Sequence, residues 1–255
     1  MNSLAPDYLV PYVLIGAVTV LASTLYLLRR AARQADLPGR ALWSSAALLV
    51  AWFLAALVPS WFGFYHPPSG SVPTIQYGLF IPIVAGVVLF WRWPVLKHMV
   101  QAVPQHWIVG IQVYRVLGLI FLMLYAGRFL PGVFAWPAGA GDVTVGLLAP
   151  FVAIANARRA HGSAGLVRAW NLFGIGDLVV AVTTGFLTSP SRFQLLSFER
   201  PNELIGAFPL VLIPVFAVPL SVLLHLASLY KLRSAEAGER TSHLTRSGAT
   251  STLAL

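Results

Sequence analysis

Three ionisable side chains stand inside apolar stretches long enough to cross a bilayer: Arg115, Asp142 and Asp177. A charge near the bilayer centre costs about 2.5–3.5 kcal/mol on insertion scales, so each needs a partner or a purpose. Arg115 falls eight residues into its stretch and Asp177 nine into its own, and both stretches run the same way across the bilayer. The two side chains are therefore expected at one depth, where opposite charges on neighbouring helices can pair. Asp142, five residues into a stretch of opposite direction, is expected nearer the outer face. Softer groups gather around these three. Gln112 sits one turn before Arg115, Asn171 precedes Asp177, and Ser221, His225 and Ser228 share a helix face by spacings of four and three. Arg115, Asp177, Asp142, Gln112, Asn171 and His225 form the candidate binding cluster. Its chemistry is either that of a clamp fixing helix register or that of a site handling an ion or small molecule. No residue is assigned as catalytic or metal-ligating, and a lone His225 is read as a hydrogen-bonding group.

The elements that hold these residues follow from composition. Of 255 residues, 58% are hydrophobic and 10% charged, whereas a water-facing surface usually requires about 25% charged. Most of this surface must face lipid. About 20 apolar residues cross the hydrocarbon as a helix, and seven spans are predicted: Tyr8–Leu28, Ala41–Phe62, Ile75–Trp91, Trp107–Tyr125, Pro137–Asn156, Arg168–Leu187 and Leu204–Tyr230. The expected fold is an all-α membrane protein, a bundle of seven transmembrane helices over residues 1–233. Residues 234–255, rich in Ser, Thr, Gly and charge without an apolar period, are expected to be a disordered tail.

The formal net charge of +9 has a topological origin. Arg29, Arg30, Arg33 and Arg40 follow the first span, Arg92 and Lys97 the third, and Arg158, Arg159 and Arg168 the fifth. Lys231, Arg233, Arg240 and Arg246 follow the seventh, while the opposite loops carry only Arg128, Arg192 and Arg200. That alternation puts the N-terminus outside and the C-terminus in the cytoplasm; it argues against a nucleic-acid partner. The first stretch is too long for a signal-peptide core and is followed by arginines, so it reads as a retained helix. With no cysteine, disulfides and thiolate chemistry are excluded.

Proline and glycine punctuate the ends. Pro94 to Gln105 reads as a connector that can form a short interfacial helix, and Leu130 to Pro137 as an apolar segment dipping into the membrane. Pro209, Pro214 and Pro219 interrupt the seventh span, each removing a backbone donor. Gly139-Ala140-Gly141-Asp142-Val143-Thr144-Val145 echoes Gly174-Ile175-Gly176-Asp177-Leu178-Val179-Val180 on a span of opposite direction, as transporter repeats do.

Gly139-x-Gly141-Asp142 and Gly174-x-Gly176-Asp177 each resemble the Gly-x-Gly-Asp motif of intramembrane aspartyl proteases. That resemblance would imply two carboxylates sharing a proton. The companion Pro-Ala-Leu motif of the presenilin group is not found, and Asp142 and Asp177 are expected at different depths. Seven spans also resemble rhodopsins, without a midmembrane lysine for retinal; paired haem histidines are missing, and no cofactor is expected. Over the second half of the chain, the strings Gln112-Val113-Tyr114-Arg115-Val116-Leu117-Gly118, Pro137-Ala138-Gly139-Ala140-Gly141-Asp142 and Pro214-Val215-Phe216-Ala217-Val218-Pro219-Leu220-Ser221 resemble a group of uncharacterised bacterial integral membrane proteins. The resemblance implies a bacterial cytoplasmic membrane and no activity. The expected function is binding or transport of a small molecule or ion around a midmembrane Arg–Asp site. A Gly-x-Gly-Asp protease and a structural or sensor protein are the alternatives. The expected partners are membrane lipid and a small-molecule ligand, with no oligomeric state assigned.

Overall fold

A computed structural model describes residues 5–252, with side chains over residues 5–237. The described residues are helical, with no strand among them. The helices are α1 (Leu9–Gln34), α2 (Gly39–Trp61), α3 (Ile75–Arg92), the short α4 (Pro94–Ala102), α5 (Gln105–Ala126), α6 (Gly132–Ala157), α7 (Ser163–Thr188) and α8, which opens at Ile213 and continues to Thr252. All except α4 are long and apolar enough to cross a membrane.

Each helix shows which face it hides. α1 buries Leu9, Val13, Ala17, Val20, Thr24, Leu27 and Ala31, a stripe at steps of three and four. Its other face exposes Ile15, Val18 and Tyr26. α2 repeats the pattern with Ala41, Ser45, Leu49, Phe53, Ala56 and Ser60 inside. α3 buries only Leu79 and exposes Phe80, Ile81, Val84 and Val88, which makes it peripheral. Large apolar side chains on the outside of a helical bundle suit hydrocarbon and not water.

α5, α6 and α7 pack most extensively. The buried face of α6 includes Ala135, Ala138, Gly139, Gly146 and Ala149, small residues that let neighbouring backbones approach closely. A Cβ on Gly146 would lie 2.5 Å from the Val116 backbone nitrogen, so α5 runs directly across it. Around this contact α5 tightens from an α-helix into a 3₁₀ stretch, Ile111–Gly118.

Several boundaries differ from those the sequence predicts. The fifth span begins at Gly132, so the segment expected to dip between Leu130 and Pro137 is the end of a loop and the opening turns of α6. Pro131 precedes that helix, and Pro137, its sixth residue, removes one intrahelical donor without ending it. The sixth span begins at Ser163 and not Arg168. The last begins at Ile213 and not Leu204: residues 208–211 form turns, and a π-helical turn, Ile213–Ala217, precedes regular α-helix from Val218. Pro209 and Pro214 account for the late start, since neither can donate to the preceding turn. The non-helical Leu210 and Val211 are fully buried, and Phe216 fills the core edge-on to Trp52 (5.2 Å) and Phe53 (5.0 Å). Beyond Arg233 the α8 helix continues, carrying Glu236 within reach of Arg168, where no apolar period had suggested order.

Candidate functional site

Arg115 projects from the 3₁₀ stretch of α5 into the seam between α6, α7 and α8. With three residues per turn, Gln112, Arg115 and Gly118 lie in one row. The longer spans correct the expected depths. Asp142 lies ten residues after the start of α6, Asp177 eleven before the end of α7, and Arg115 eleven before the end of α5. All three ends face the same side of an antiparallel bundle, so the charges share one level. Asp142 is not nearer one face than Asp177.

The guanidinium takes both carboxylates. Arg115 Nε donates to Asp142 Oδ1 at 2.7 Å, with Nη2 2.6 Å from the same oxygen, and Nη2 donates to Asp177 Oδ2 at 2.5 Å. Its remaining nitrogen, Nη1, reaches Gly174 O at 3.3 Å and His225 Nε2 at 3.2 Å. Arg115 is 3% exposed, so these bonds replace its water.

That contact settles the state of His225. Arginine can only donate, so Nε2 must be the bare acceptor and the ring proton must sit on Nδ1. Nδ1 in turn donates to Asn171 Oδ1 at 2.9 Å. The Asn171 amide is oriented by its own donors, which go to Val167 O and Ser228 Oγ, each at 2.8 Å. Gln105 Nε2 also donates to Ser228 Oγ, at 2.5 Å, and Trp170 covers the imidazole at 4.9 Å between ring centres. Gln112 faces the same Nδ1 at 3.4 Å. Only its carbonyl oxygen can accept from an Nδ1–H, so the amide belongs with that oxygen toward the ring. With Nε2 toward the ring, Oε1 of this fully buried amide lacks a hydrogen bond.

All six sequence-predicted residues thus meet in one hydrogen-bonded network. Sequence reasoning missed Gln105 and Tyr114. Gln105 was placed in a connector, and Tyr114, bonded to Ser221 Oγ at 2.7 Å, resembles any apolar span residue. The glycines have packing roles. A Cβ on Gly141 would overlap Asp177 Oδ1, and one on Gly174 would overlap the His225 ring. The Gly-x-Gly-Asp pattern therefore seats side chains against backbone, and the two carboxylates meet on an arginine nitrogen.

Two small cavities adjoin the network. One, of about 60 Å³, is lined by Phe121, Phe134 and Ala138 and extends along α7 from Ser189 to Leu178 and Asp142. The other, of about 50 Å³, lies against α1 and reaches Tyr114, Arg115, Asp142 and Ser221. Asp142, Leu178, Ile213 and Val218 line both. Among the described residues, no group of three or more His, Asp or Glu is placed to hold a metal ion.

A helical bundle with seven membrane-length helices around a buried Arg–Asp network is a membrane-protein architecture. The chain belongs to the family described as Domain of unknown function (DUF8737), whose model matches residues 72–233 and so takes in α3 through the apolar part of α8 and every residue of the network. Neither the curated proteins nor the solved structures yield a match.

Proposed function

We propose that this chain is a seven-span integral membrane protein that binds, and moves across the bilayer, an ion or small molecule carrying one positive charge at the Arg115–Asp142–Asp177 site. One observation carries the reading. A single guanidinium serves two carboxylates while His225 is neutral, so the ionised cluster holds one negative charge in excess. Each aspartate spends one oxygen on Arg115; Asp142 Oδ2 and Asp177 Oδ1 take no hydrogen bond among the described residues. An uncompensated buried charge is expensive, so a proton or a cation is the missing partner.

The N-outside orientation and the bacterial cytoplasmic membrane belong to the same proposal. They rest on the one-sided basic flanks and on the resemblance of the three strings quoted above. The competing reading is a structural clamp, favoured by the fact that every nitrogen of the Arg115 guanidinium already has a partner. A native mass spectrum of gently purified protein, with proteoliposome flux of any retained cation, separates the two. Asp177→Asn removes the excess charge, keeps a polar group beside Arg115, and is expected to abolish binding and flux while the protein stays folded. Stability lost with no cation-dependent signal in the parent would leave the clamp.

A further inference from the structure

The cavity that ends on Asp142 is walled almost wholly by carbon. Among the described residues Asp142 is its only ionisable lining residue, and Ser189, at the far end beyond Thr188, brings its only other polar side chain. α6 presents Phe134, Ala138 and Asp142 at steps of four, so one face of this helix runs down the cavity to the carboxylate. Phe121 and Phe186 add aromatic surface.

These walls select among cations. Hard metal ions take shells of several oxygen ligands, and the cavity brings one carboxylate and one distant hydroxyl. A primary ammonium has three donors, and the Asp142 carboxylate is the one charged acceptor lining the cavity; the N–H groups it leaves over would be buried without partners. A tertiary ammonium has one N–H, matching that one carboxylate, and its alkyl groups suit apolar walls and the faces of aromatic rings. Size points the same way. A single water needs about 10–15 Å³ of such space, so the cavity of about 60 Å³ accommodates only a few heavy atoms.

We infer that this cavity is the binding chamber for a small tertiary alkylammonium ion, entered from the Ser189 end, with its N–H on the Asp142 carboxylate. The inference rests on the reading of the cluster as a site for one positive charge. The charge balance also fits: the ligand brings the one positive charge that the Arg115–Asp142–Asp177 cluster lacks.

Calorimetric titration of the full-length protein in detergent with trimethylammonium chloride tests it, with tert-butanol as the neutral molecule of similar shape and sodium chloride as the ionic control. Saturable binding of trimethylammonium, and of neither control, is expected. Asp142→Asn should weaken it at least tenfold. Because that variant touches the charge network, a second one keeps the test independent: Ala181→Leu adds bulk to the cavity wall without altering a charged group and should weaken binding equally. Undiminished binding to Ala181→Leu would overturn the cavity assignment. If trimethylammonium fails to bind while sodium binding or proton uptake still depends on Asp142, the ligand class is wrong and the cation site survives. If no cation and no proton uptake depends on Asp142, both fall.

Discussion

Removing Arg115 strands two carboxylates, whereas removing one aspartate strands nothing. This asymmetry was not expected from a simple Arg115–Asp177 pair, in which either loss would leave a bare charge. Arg115→Leu should therefore cost about 3–5 kcal/mol, the usual penalty for breaking a buried ion pair from one side. Asp177→Asn should cost about 1 kcal/mol or less, since Asp142 still neutralises the guanidinium and an amide oxygen can still accept from Nη2. Denaturant unfolding in mixed micelles measures both, and equal large losses would contradict the shared-guanidinium geometry. The Gln112 amide gives a second test at this scale. One of its polar atoms is buried without a bond, so Gln112→Leu should be within about 1 kcal/mol of neutral by the same measurement. A loss of several kcal/mol would show that the amide has a partner beyond His225.

Helix geometry decides why these residues meet. The six candidates were legible in the sequence because an ionisable or amide group inside an apolar span is costly enough to stand out. The level at which they meet was not. Asp142 looked shallow because Pro137 suggested a helix start, and a proline in the opening turns does not end a helix that Pro131 has already begun. The 3₁₀ tightening of Ile111–Gly118 left no mark in the residue pattern either, since Gln112 and Arg115 share a face at three residues per turn or at 3.6. The late start of α8 was half legible: Pro209 and Pro214 announced an interruption, but not that Leu210 and Val211 would be buried as turns. The cavity was invisible, since its walls are ordinary Phe, Ala and Leu from helices distant in the chain. Gly141 tests the packing directly. Gly141→Ala places a methyl on the Asp177 carboxylate, which Arg115 holds in place, so it should cost about 1–3 kcal/mol as overpacking. Gly176→Ala, where a Cβ would meet nothing within 4 Å, should be close to neutral in the same unfolding assay. Equal effects would mean that α6 and α7 do not approach as closely as the network requires.

The molecule as a whole carries most of its basic residues at one end, with Arg128, Arg192 and Arg200 in the opposite loops. The C-terminal ends of α1, α3, α6 and the apolar part of α8, together with α4 and the starts of α2, α5 and α7, lie on one side of the bundle by the alternation of antiparallel helices. Cross-links there involve the basic side chains themselves. Arg30 stacks 4.5 Å from the Trp107 ring centre, Lys231 Nζ donates to Gln101 O, and Arg168 pairs with Glu236. Arginine and lysine concentrate on the cytoplasmic side of membrane proteins, so this end is predicted to face the cytoplasm and the Ser189 end, with its cavity, the exterior. The lack of cysteine makes the test clean, because any introduced thiol is the only one. Ser69 lies exposed in the loop between α2 and α3, beside Gly70, whose φ of +78° makes the serine the better position to alter. His98 lies exposed on α4, after α3 has crossed. In intact cells a membrane-impermeant maleimide should label Ser69→Cys, and should label His98→Cys only after permeabilisation. The opposite pattern would invert the orientation and turn the cavity toward the cytoplasm. Labelling of both in intact cells would mean that α3, the helix with least of its surface buried, does not cross at all.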